Sequence, residues 1–150
     1  MKPLLVLFVV FSISLIIIRL VTKNHELFLS ARIGMGAMLF FTAIGHFAYS
    51  KGMTMMIPSL IPLKTEIIFL TGILEILLGI GILIPITKVY SGWLLIIFLI
   101  ILLPANIYAS IKHVDYLKGT YEGNDISYLW FRIPLQLFFI AWVYISSIKN

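Results

Sequence analysis

The chain alternates long apolar runs with short polar punctuation, and five of the runs approach the roughly 20 residues that a helix needs to cross a bilayer. They cover Pro3–Val21, Ala31–Ser50, Ile67–Pro85, Val89–Ser110 and Tyr128–Ile148. None shows the period-2 alternation of a barrel strand, and an open sheet cannot satisfy its backbone in lipid, so the β-branched content does not argue for strands. The pattern predicts an all-α integral membrane protein. A few residues around "PITK" separate the third and fourth runs, which makes those helices antiparallel neighbours. Between the second and third lies "KGMTMMIPSLIPLKTE", apolar but broken by Pro58 and Pro62, as in an interfacial or re-entrant segment. The clearly polar, turn-rich stretch is "KHVDYLKGTYEGND", expected in water between the fourth and fifth helices. The first run begins like a signal peptide, but no small-x-small cleavage site follows it. It reads as an uncleaved anchor, with residues 1–30 as anchor helix and linker and 31–150 as a four-helix membrane domain.

Composition agrees with the pattern. The 150 residues are 61% hydrophobic and 11% charged, with a mean hydropathy of +1.11. A soluble domain is nearer half apolar and a quarter charged. Lys and Arg number 11 against 6 Asp and Glu, for a net +5. Most of the basic residues flank apolar runs, where they mark boundaries and meet anionic headgroups. There is no basic stripe or stacking platform for nucleic acid. The absence of cysteine rules out disulfides, thiol relays and Cys-ligated metal clusters within the chain.

Two sides can be distinguished. Side 1 holds the N-terminus and the two longer loops, with Lys2, Lys51, Lys64, Lys112 and Lys118. Side 2 holds Arg19, Lys23, Lys88 and Lys149, with Arg32 near its edge. Basic residues divide almost evenly, so the positive-inside rule barely discriminates. The acid-rich long loop favours side 2 and the C-terminus as cytoplasmic.

Ionisable groups inside a span cost about 2.5–3.5 kcal/mol near its centre on insertion scales, and usually face other helices or a wet cavity. Glu75 stands in "TGILEILLGIGIL", roughly 14 Å from side 1 at 1.5 Å per residue. Gly72 and Gly79 fall within about 60° of it on the helix wheel, which suits close approach of a neighbour. Arg132 and Gln136 share a face on the fifth helix, with Pro134 between them as a kink. His46 lies about 6 Å from the side-1 end of the second helix, and Asn106 follows Pro104 on the fourth. All five lie in the half nearest side 1. They are expected to form one polar cluster, with Glu75 beside Gln136 and paired with Arg132, and with His46 and Asn106 at its mouth.

Three readings of the cluster follow: a buried pair that sets helix register, a ligand pocket, or a proton path. The last lacks polar partners towards side 2, where Arg32 reads as a snorkelling anchor. His46 and His113 are on one side, but no HExxH-type spacing points to a metal. Met53, Met55 and Met56 suit interfacial packing or a soft apolar ligand.

In order, "ARIGMGAMLFFTAIGHF", "IPSLIP", "TGILEILLGIGILIP", "LLPANIYAS" and "WFRIPLQLFFIAW" resemble the DoxX-like group of small bacterial membrane proteins over residues 31–145. The resemblance implies an antiparallel four-helix bundle in the bacterial plasma (inner) membrane, to which Pro3–Val21 is an addition. It also implies a subunit or partner of a membrane redox system, quinone-linked or tied to oxidative stress, with no catalytic residues agreed for the group. The isolated chain is then not expected to be an enzyme. Quinone is the cofactor to consider, since His46, Gln136 and Arg132 offer hydrogen-bond donors in an apolar cleft. A small transporter, a lipid-binding protein or a purely structural subunit is the alternative.

Overall fold

Backbone groups in lipid have no water to bond, so each must find its partner inside its own segment. The computed structural model describes all 150 residues and meets this condition with helices throughout. They are α1 (Lys2–Thr22), α2 (Leu27–Ala48), the short α3 (Ser50–Thr54), α4 (Lys64–Gly81), α5 (Lys88–Ile111) and α6 (Leu129–Val143). A 3₁₀ turn at Ile126–Tyr128 leads into α6, and a π-helical turn at Tyr144–Ile148 extends it.

Four helical stretches are long and apolar enough to cross a membrane: α1, α2, α5 and the continuous Ile126–Ile148 unit containing α6. The sequence pattern suggested a fifth. That one is α4, 18 residues long, and it carries Lys64 and Glu66 in its first turn and Glu75 in its middle. Its length of about 27 Å matches the hydrocarbon core, and its charge sets it apart.

Contacts between neighbours run in opposite directions along the two chains of each pair. On α1 and α2, Gly34 meets Leu7 and Phe11, while Ser14 reaches Ser30. On α2 and α4, Gly36 meets Gly79 and His46 meets Gly72. On α5 and α6, Leu99 meets Gln136 and Gly92 meets Ser147. All three pairs are antiparallel. The glycines permit the closeness: a Cβ on Gly34 would lie 2.9 Å from the Leu7 carbonyl oxygen, and one on Gly72 would lie 2.9 Å from the His46 Cβ.

The core draws Met35 and Leu39 from α2, Leu78 and Ile82 from α4 and its end, Leu95 and Leu99 from α5, and Leu135, Phe139 and Val143 from α6. Leu7 of α1 is fully buried in the same core, and Trp142 stands edge-on to Phe8 and Phe11. The first helix is therefore packed into the bundle. It joins α2 through residues 23–26 alone, where Lys23 takes a left-handed cap (φ 58°) and donates its N–H to Arg19.

The polar 112–125 stretch is folded and lies against the side-1 end. Asp115 Oδ1 accepts from the N–H groups of Leu117 and Lys118, and Asp115 bridges to Thr120 around Gly119 (φ 66°). Gly52 of α3 sits against the Tyr116 backbone, and Tyr49 meets Tyr116 edge-on.

Candidate functional site

Thr42 and His46 are four apart on α2, and Thr71 and Glu75 are four apart on α4, so each pair occupies one helix face. Antiparallel packing then crosses them. Thr42 donates to Glu75 Oε2 (2.9 Å), Thr71 Oγ1 lies 3.0 Å from His46 Nδ1, and His46 Nε2 lies 3.4 Å from Glu75 Oε1. His46 is 9% exposed and Glu75 5%. Thr71 also donates its hydroxyl proton to the Ile68 carbonyl at 2.7 Å. The hydroxyl can accept from a protonated Nδ1 or give its one proton to a bare one instead. Nε2 faces the carboxylate, and pairing of the two offsets the penalty for burying either alone.

The expected Glu75–Arg132 pair does not form. Glu75 and Arg132 line a common hollow, but the carboxylate's partners are His46 and Thr42, and no carboxylate pairs with Arg132. The cause is the close α2–α4 approach at Gly72, which brings the imidazole to the carboxylate from the adjacent helix. Arg132 is half-buried, and its Nε–H is buried without a partner. Gln136 donates to the Leu99 carbonyl (2.7 Å), tying α6 to α5 one residue before Ile100, whose carbonyl Pro104 leaves without its helical donor. Asn106 stands apart. Its amide turns back to the Leu102 carbonyl (3.0 Å), and it does not line the hollow. His113 is exposed and lies 3.9 Å from Asp125.

The shared hollow, bounded by Pro3, Thr42, Glu75, Arg132 and Gln136, has a volume of about 60 Å³. A water needs on the order of 10–15 Å³ by this measure, whereas drug-sized ligands occupy roughly 300–1,000 Å³ pockets. It has room for a few waters and not for a quinone ring. A second hollow of about 290 Å³ adjoins it between α1 and α6, lined by Leu4, Phe8, Trp130, Phe131, Pro134, Leu135 and Phe138. Successive residues line the two: Pro3 and Leu4 on α1, Leu135 and Gln136 on α6.

Over this end sits Tyr116, whose phenol is pushed above its ordinary range, mainly by burial and further by Tyr128, while Arg132 opposes the shift.

Sequence reasoning missed Thr42 and Thr71. Their four-residue spacing from His46 and Glu75 was the available signal. It also missed a second polar zone near side 2, where Ser30, Ser146 and Ser147 are almost fully buried and Trp142 donates to the Ala31 carbonyl. Met35, Leu39, Ile82, Leu95 and Val143, each at most 1% exposed, lie between the zones along their helices. This apolar layer should block ions. Liposomes holding the protein alone are expected to leak protons no faster than empty ones, and a clear excess flux would show that the layer opens.

Fold and site together define an all-helical protein of membrane-spanning character with a buried His–Glu pair near one end. The chain belongs to the family described as a domain of unknown function (DUF8561), whose model matches residues 35–147. That match begins within α2 and takes in the polar quartet of Thr42, His46, Thr71 and Glu75. No curated protein and no solved structure matches the chain.

Proposed function

We propose that this protein is a small membrane subunit that binds a lipophilic molecule from the side, with the apolar part between α1 and α6 and the polar end towards Arg132. The observation that carries this reading is a shallow, open aromatic groove of about 290 Å³, whose lining residues on α1 and α6 are next in sequence to those of a smaller polar hollow. An apolar wall with a few polar groups nearby is the chemistry that suits a lipophile.

A second reading makes the ligand a quinone and the protein a DoxX-type partner of a redox system in the bacterial plasma membrane. The sequence resemblance favours it, as do the rings of Phe8, Trp130, Phe131 and Phe138, which suit a flat headgroup. On this reading the ring lies in the α1–α6 hollow, and the smaller one holds water.

Extraction in native lipid followed by mass spectrometry of proteins and small molecules tests both. A bound lipophile is expected, and Leu4→Trp should fill the hollow and abolish its retention while leaving helix content unchanged. Equal retention by wild type and Leu4→Trp would remove the lateral site. Enrichment of quinone with a redox partner would select the second reading.

A further inference from the structure

Arg132 has an unmet requirement. A guanidinium stays charged, with five N–H donors. This one lies roughly 6 Å from the side-1 end of its helix unit by rise per residue. Charges at such depth normally pair with one another or with backbone carbonyls. Here the Nε–H is buried with no partner, and no carboxylate pairs with the group. Glu75, which shares its hollow, is occupied by His46 and Thr42. Gln136, one turn on, gives an amide hydrogen to the Leu99 carbonyl and makes no hydrogen bond with the guanidinium. On the cap side stand Tyr116 and Tyr128, and Asp115, which also acts on the Tyr116 phenol, is engaged by the backbone N–H groups of Leu117 and Lys118. Lys2 adds a second cation beside Pro3, at the same end. A basic group with no carboxylate partner therefore stands one residue along α6 from Phe131, which lines the apolar hollow.

We infer that Arg132, helped by Lys2, holds the phosphate of an anionic phospholipid whose acyl chain lies in the α1–α6 hollow. This rests on the lateral-binding reading above and names the ligand class for it. The planar guanidinium suits phosphate because its fork can donate two parallel hydrogen bonds. The chain's share of the binding comes from Leu4, Phe8, Phe131 and Phe138, which cover apolar length without regard to headgroup.

The test exposes the full-length protein to mixed micelles of phosphatidylglycerol and phosphatidylcholine in equal amounts and measures retained lipid by native mass spectrometry. Wild type should retain the anionic lipid about fivefold over the neutral one, the ratio that one basic residue at a membrane surface confers. Arg132→Gln should bring that ratio close to one while total retention persists. Arg132→Lys, which keeps the charge but loses the fork, should fall between and serves if the glutamine variant does not fold. Equal retention of the two lipids by wild type, or an undiminished preference in Arg132→Gln, overturns the inference and leaves the lateral site standing. Displacement of both phospholipids by an added neutral quinone likewise overturns the headgroup assignment in favour of the redox reading. Loss of all retained lipid in wild type removes the lateral site itself.

Discussion

Replacing Glu75 with leucine is expected to destabilise the protein by about 1–3 kcal/mol, the usual cost of leaving a buried polar group without its partner. The loss comes from what remains. His46 Nε2, which lies 3.4 Å from the carboxylate, would face leucine in a site that water does not reach freely. The double variant His46→Leu with Glu75→Leu should recover most of the loss. Thr42 already has the Leu39 carbonyl at 3.0 Å and Thr71 the Ile68 carbonyl at 2.7 Å, so both hydroxyls keep an acceptor. Leucine also keeps an unbranched Cβ where His46 passes Gly72. Thermal unfolding in lipid nanodiscs measures both. A double variant no more stable than the single one would mean that the quartet acts through something other than mutual compensation. Survival of lipid retention in the double variant would further separate this folding device from the α1–α6 site.

Gly52→Ala should detach the 112–125 segment from α3. A Cβ at Gly52 would run into the Tyr116 carbonyl oxygen and lie 2.6 Å from its carbonyl carbon. These are backbone atoms that cannot swing aside like a side-chain tip. The segment must lift, breaking the Tyr49–Tyr116 ring contact with centroids 6.3 Å apart. Overpacking typically costs about 1–3 kcal/mol, so cleavage by trypsin after Lys112 or Lys118 should accelerate by about tenfold or more. Gly45→Ala is the control. Its nearest neighbour would be the Met53 methyl at 3.5 Å, an ordinary contact, and alanine in a helix should be neutral or stabilising by roughly 0.5–1 kcal/mol. Unchanged proteolysis of Gly52→Ala would show that the cap is not seated on α3.

Much of the candidate site was legible as depth. Rise per residue placed His46, Glu75, Arg132 and Gln136 in one half of the membrane, and the structure keeps them near one end. Azimuth was not legible in the same way. Glu75 could meet either Arg132 or His46 at that depth, and the choice turned on how closely α2 and α4 approach at Gly72. Asn106 had the right depth, yet a carbonyl one turn back in its own helix satisfied it first. Thr42 and Thr71 were overlooked because a threonine in an apolar helix usually bonds its own backbone, as both do here as well.

By itself the sequence determined that the chain is helical and of membrane-spanning character, roughly where its long helices lie, and which groups are too polar for lipid, because hydropathy and chain geometry act locally. Tertiary structure alone decided that α1 joins the core through Leu7, that Glu75 pairs with His46, and that Arg132 is left without a carboxylate partner near an apolar hollow. Those outcomes depend on helix rotation and interhelical distance, which here are set by close contacts at Gly34, Gly36, Gly72 and Gly79. No single helix carries that information, since each contact needs the facing surface of another.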